Sequence, residues 1–198
     1  MKKVFAVALA MTVAVGMLAG CGSNDSAQGG AADGTITVVS REDGSGTRGA
    51  FIELFGIEEK NDAGEKIDNT TDTAEITNST AVMMTTVAGN DNAIGYVSLG
   101  SLNDSVKALP IDGVEASAEN IKNGTYAVAR PFNIATGKEV SEVTKDFISF
   151  ILSEDGQAVV EENGYISQGN TGAFKSTEAE GKIVVAGSSS VTPVMEKL

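Results

Sequence analysis

Residues 35–51 read TITVV-SREDGSGT-RGAF, and this stretch decides the fold. The β-branched run from Thr35 to Val39, bounded by polar residues, predicts a strand. Ser40-Arg41-Glu42-Asp43-Gly44-Ser45-Gly46 is a loop, and Thr47 opens a helix with Ala50, Phe51, Leu54 and Phe55 at helical spacing, stopped by Gly56. The same form returns at the far end. Lys182 to Ala186 (KIVVA) predicts a strand, Gly187 to Thr192 (GSSSVT) a loop, and Pro193 suits the first turn of a helix. A helix N-terminus offers unpaired backbone N–H groups and the positive end of its dipole, so it attracts anions. Glycine lets the backbone come close, and Ser and Thr hydroxyls add donors. Arg41 and Arg48 stand in the first loop region, and a guanidinium is the side chain best shaped for a bidentate oxyanion contact. Two such loops, with an Arg and without the Lys pattern of a phosphate loop, point to a small tetrahedral anion. The alternative is that both loops only cap their helices, with Arg41 paired to Glu42 or Asp43 in solvent.

Outward from these loops the chain alternates strand and helix signals, which indicates an α/β fold. Residues 57–72 are rich in acid and read as an exposed excursion. Asn78 or Ser79 caps a helix running through Val82, Met83 and Val87 to Gly89, with Met83 and Met84 in its core. Ala93 to Ser98 predicts a buried strand and Val106 to Leu109 another. Ser117 to Lys122 reads as a short helix closed by Gly124, and Thr125 to Ile134 as extended chain, with Pro131 favouring an edge or a crossover. Val143, Phe147, Phe150 and Ile151 mark an amphipathic helix packing on a sheet; Gly156 breaks it, and Ala158 to Val160 continue to Gly164. The last helix has only about a turn and a half before Leu198, which suggests a chain cut short relative to its fold.

Towards the N-terminus, Lys2 and Lys3 precede an uncharged apolar stretch from Val4 to Leu18, the pattern of an export signal. The junction Leu18-Ala19-Gly20-Cys21 resembles the lipobox of bacterial lipoproteins, which implies cleavage before Cys21 and its diacylation. The Gly- and Ser-rich residues that follow cannot bury enough apolar area to order themselves. The expected organisation is a signal at 1–20, a tether at 21–34, an α/β lobe at 35–124, and a crossover with part of a second lobe at 125–198. The expected location is the outer face of the cell membrane, held by the lipid.

Composition removes several classes of function. The 198 residues are 41% hydrophobic, enough for a core, and their 14 basic against 27 acidic side chains leave a net charge of −13. Such a surface disfavours nucleic acid, whose affinity rests on basic patches. With no His and one Cys, the chain has no Ser-His-Asp triad, no Cys-His dyad, no internal disulfide and no Cys/His zinc site. The Glu58, Glu59, Asp62 and Glu65 cluster lacks the spacing of a calcium loop, so no metal or other cofactor is expected. An acidic protein repels an anion only over a screening length of about 8 Å at physiological salt. Binding would then come from local dipoles and Arg41.

SREDGSGTRGAF and AGSSSVTPVMEKL resemble the two signature loops of the phosphate-binding lipoprotein family of bacterial phosphate ABC transporters. AIGYVSLGSL, ENIKNGTYAVARPF and FISFILSEDGQAVVEENGYI also look like later segments of that family. The resemblance implies a type II periplasmic-binding-protein fold, with two α/β lobes, one of them incomplete here, closing on a desolvated inorganic phosphate. It implies no catalytic residue and no cofactor, and delivery of the ligand to a membrane permease and ATPase. Carried over, the phosphate contacts fall on Arg41, Ser45, Gly46 and Thr47, with Asp43 as the acid that orients the Arg. Ser189, Ser190, Val191 and Thr192 fall on the opposing loop. In most of the family the GSSSVT loop comes first, and the segment after it supplies a Ser and an Asp that accepts the proton of hydrogen phosphate. The reversed order here suggests a permuted and shortened receptor. Two rivals stand beside it: a surface-anchored structural or adhesion lipoprotein that binds no anion, and a hydrolase using paired carboxylates, for which no spacing singles out a pair.

Overall fold

The computed structural model describes residues 34–198. The signal at 1–20, Cys21 and the tether up to residue 33 lie outside the described residues. Strand β1 (Thr37–Arg41) is the centre of a three-stranded parallel sheet of order β4-β1-β5. On one side it pairs with β4 (Glu75–Thr77), in register Val39 with Glu75 and Arg41 with Thr77. On the other it pairs with β5 (Ala93–Ile94), Thr37 opposite Ala93. Helix α1 (Gly46–Leu54) leaves the end of β1, and α2 (Thr80–Ala88) leaves the end of β4. The chain therefore departs from the centre of the sheet to one side and returns to the other. In open α/β sheets such a switch in strand order opens a crevice at the carboxyl ends of the strands.

The core is small and lies against β1. Val39, Ile52 of α1 and Met83 and Met84 of α2 are buried. Val194 joins them from α6 (Thr192–Met195), which follows a 3-10 turn at Ser189–Val191. Gly95 presses on Met83, where a Cβ would come within 2.4 Å of the sulfur. The acidic excursion folds into an exposed antiparallel hairpin, β2 (Glu58–Lys60) with β3 (Lys66–Asp68). Beyond β5 the described residues form no further strand element; they carry a 3-10 turn at Leu99–Ser101 and the helices α3 (Ala118–Lys122), α4 (Glu142–Leu152) and α5 (Glu154–Glu162), joined by turns and irregular chain.

The α/β class, the Ser79 cap of α2 and the short helix from Ser117 agree with the sequence; α1 begins at Gly46 with Ser45 as its cap rather than at Thr47, and several strands do not agree. Residues 93–98 contribute only the two-residue β5, and Ile94 is exposed rather than buried. Val106 to Leu109 forms no strand, and Leu109 is exposed. Lys182 to Ala186 likewise forms none, and Val184 is 91% exposed. β-branched residues favour an extended backbone, but a strand exists only where a neighbour supplies the ladder; no strand among the described residues flanks this one. Helix α4 ends at Ser153, not Gly156, and packs on α5. Ser153 closes α4 by donating to the Phe150 carbonyl at 2.6 Å and caps α5 by accepting from Gly156 N–H at 3.2 Å.

Candidate functional site

Arg41 is the last residue of β1, at the carboxyl end of the sheet, and only 3% of it is exposed. A buried guanidinium must be fully partnered, and each of its nitrogens is. Nε and Nη2 form a fork on the Glu42 carboxylate at 2.9 and 3.1 Å, and Nε also reaches the Thr77 carbonyl at 3.1 Å. Nη1 points away from that acid, donating to Ser189 Oγ at 3.0 Å and Thr80 Oγ1 at 3.4 Å. The Arg41 hydrogen bond is the main reason the Glu42 carboxyl is held below its ordinary range. The acid beside Arg41 is thus Glu42. Asp43 instead pairs with Arg48 at 2.8 Å, and Arg48 also takes Asp68 of β3 at 2.8 Å. The chain between Asp43 and Ser45 turns through Gly44 at φ +80°.

Three backbone starts converge on the Nη1 side of Arg41. Ser45 caps α1 by accepting from Arg48 N–H at 3.3 Å, and Ser79 caps α2 by accepting from Val82 N–H at 3.3 Å. The first amides of each helix, at Gly46 and Thr47 and at Thr80 and Ala81, have no acceptor within their own helix. The 188–192 loop closes onto both. Ser190 Oγ touches Thr47 Oγ1, Ser188 Oγ lies 3.4 Å from the same hydroxyl, and Ser189 Oγ lies 3.2 Å from Thr80 Oγ1. Gly46 eases this approach, since a Cβ there would sit 3.1 Å from that of Ser188, a tight contact from which the side chain would have to shift. Ser190 is buried, and its carbonyl is gripped by Tyr165 Oη at 2.7 Å and Ser98 Oγ at 3.3 Å. A groove of about 840 Å³ runs along α2 past Thr80 and Ser189 to Thr192 and Glu196.

Of the residues read from the sequence, Arg41, Gly46, Thr47, Ser189 and Ser190 are brought together. Ser45 spends its hydroxyl on the cap, while Val191 and Thr192 turn the chain into α6 and, among the described residues, bond to neither Arg41 nor Thr47. Sequence reasoning missed Thr80, Ser188, Arg130 and Tyr96. Thr80 follows the cap of α2 directly, so the capping signal that found the helix also marked its first hydroxyl. Tyr96 reads as packing, and its ring does stack on Phe51 at 4.1 Å. Its hydroxyl, however, lies 2.8 Å from Ser40 Oγ and accepts the Arg41 backbone N–H at 3.0 Å, which no local pattern announces. Among the described residues no cluster of His, Cys, Asp and Glu has the makings of a metal site.

The sequence pattern of the PBP superfamily domain matches residues 16–155. The chain belongs to the PBP superfamily. It is 60% identical over 199 residues to phosphate-binding protein PstS 2 of Streptococcus agalactiae serotype V, a match covering 100% of this chain and 67% of that protein. Phosphate-binding protein PstS 2 of Streptococcus pneumoniae serotype 4 is 50% identical over 198 residues, with the same coverage. A crystal structure of a phosphate-binding protein of a phosphate ABC transporter from Streptococcus pneumoniae aligns with a TM-score of 0.67 and 53% identity, over 83% of this chain and 64% of that one. A second, assigned as a phosphate ABC transporter substrate-binding protein from Clostridium perfringens and solved with bound phosphate, gives 0.58 and 44% over 67% and 51%. This PBP-superfamily chain thus spans about two thirds of the length of the curated relatives it matches. Because those matches run the whole length of the chain, it shares with these relatives the order in which its two loops occur.

Proposed function

We propose that this chain captures inorganic phosphate outside the cytoplasm and delivers it to the permease and ATPase of an ABC importer, and that it performs no catalysis. The carrying observation is Arg41: buried, forked on Glu42, with Nη1 aimed at the Ser189 and Thr80 hydroxyls where two helix starts and the 188–192 loop meet. In this reading Arg41 and the Gly46 and Thr47 amides, from the 35–124 part, hold one side of the anion. Ser189 and Ser190, from the 125–198 part, hold the other, and Ser45, Val191 and Thr192 complete the rim. The streptococcal relatives named as phosphate-binding proteins support the choice of ligand. The Leu18–Cys21 junction supports attachment to the outer face of the cell membrane through a diacylated Cys21.

Each charge-assisted hydrogen bond from Arg41 contributes on the order of 1.5–3 kcal/mol, and about 1.4 kcal/mol is a tenfold change in affinity. Equilibrium dialysis of labelled phosphate against the full chain, with sulfate as competitor, is the test. Saturable binding that Arg41→Ala weakens about 100-fold or more, while circular dichroism stays unchanged, is the expected result. A folded chain that binds no phosphate in either form would leave the structural or adhesion module in its place.

A further inference from the structure

The charges around the proposed phosphate site do not favour an anion until one more residue is counted. Arg41 is matched by Glu42, and Arg48 is matched twice, by Asp43 and Asp68. The acids nearest the first loop therefore outnumber its two guanidinium groups. Arg130 supplies the missing charge. It lies on the irregular chain between α3 and α4, is exposed, and forms no ion pair among the described residues. Its Nη2 donates to the Gly46 carbonyl. A Cβ built on Gly46 would lie 3.8 Å from that nitrogen and 3.2 Å from Ser188 Oγ, so the guanidinium sits where the first loop meets the second.

We infer that Arg130 is the charge-supplying residue of the phosphate site, a rim cation that draws the anion in and balances its second negative charge. This rests on the phosphate reading above. A guanidinium anchored through one nitrogen keeps its remaining N–H donors for an oxyanion. An exposed cation at the mouth of a site on an acidic protein acts chiefly on association rate, and its effect fades with salt.

Phosphate affinity and association rate of the full chain, measured from low to physiological salt and beyond, test the inference with Arg130→Gln and Arg130→Lys. The Gln variant is expected to bind about tenfold more weakly at low salt, mostly through slower association, and to show a flatter salt dependence. The Lys variant should remain within about threefold of the unmodified chain, because it keeps the charge. Should Arg130→Gln lose its far-UV spectrum, Arg130→Met replaces it as the neutral variant. Gln binding as tightly as the unmodified chain, with the same salt slope, overturns the assignment and leaves the phosphate reading intact. Both variants weakening equally with the slope unchanged would make Arg130 a mere clamp on Gly46, and overturn it too. An unmodified chain that binds no phosphate brings down the phosphate reading and this inference together.

Discussion

At the scale of single residues, the position of Arg41 depends on a phenol from the chain that follows β5. Tyr96 accepts the Arg41 backbone N–H at 3.0 Å while lying 2.8 Å from Ser40 Oγ, and Ser40 and Arg41 are both buried. A phenol accepts and donates at once, so one oxygen satisfies two groups that water does not reach. Replacing Tyr96 by Phe keeps the stack on Phe51 and removes only this oxygen. Leaving buried partners unsatisfied costs about 1–3 kcal/mol, so urea unfolding of Tyr96→Phe should show a loss of that size. Phosphate affinity should fall several-fold as the end of β1 loosens. A variant with unchanged stability would mean that Ser40 and Arg41 N–H find other partners, and Tyr96 would be packing alone.

At the scale of elements, the α4–α5 joint sets local propensity against tertiary geometry. Gly156 lies in the first turn of α5, where alanine would ordinarily stabilise a helix by about 1 kcal/mol. A Cβ there would stand 2.1 Å from the Phe150 carbonyl oxygen and 2.7 Å from that of Ile151. These are backbone atoms and cannot swing aside, so Gly156→Ala is expected to destabilise by about 1–3 kcal/mol or more, read as a lowered Tm. A raised Tm would mean that the joint opens freely. The same contrast separates what was legible in the sequence from what was not. Ser79 and Ser117 announce their helices because a cap is written within a few residues, and α1 is announced to within one residue by the loop that precedes it. β4 carries no local strand signal and KIVVA carries one without a partner, for one reason: a strand is a property of its neighbour. Glu75–Thr77 has β1 beside it, and Val184 has no strand beside it among the described residues. The site divides in the same way. The Arg41 loop and the GSSSVT loop were visible as local anion cradles, while Thr80, Tyr96 and Arg130 reach them only through the fold.

At the scale of the whole molecule, the absence of His leaves no side chain of ordinary pKa titrating between about pH 5 and 8. Among the described residues, the carboxylates that the fold perturbs are pulled down. Glu42 is lowered foremost by the hydrogen bond from Arg41. At Asp68 burial pushes upward, but the Thr70 hydroxyl and amide and then Arg48 outweigh it. Asp146 is lowered first by the Thr177 amide, with Ser176 adding to it. A lowered folded-state pKa contributes stability that is complete above the unfolded value, near 4, and is lost as pH falls through the folded value. On the alkaline side Lys66 is raised by its bond to Glu58, and burial raises Tyr126 and Tyr165. Those contributions are complete below about 10 and are lost as pH rises through the raised values. The urea midpoint should therefore be flat from about pH 5.5 to 8.5 and decline below about 4 and above about 10. Within the plateau, any pH dependence of phosphate affinity belongs to the second ionisation of the ligand itself. A stability step near pH 6–7 in the absence of phosphate would contradict this, because it would require a carboxyl displaced upward by burial rather than held down by Arg41, Arg48 and the Thr177 amide.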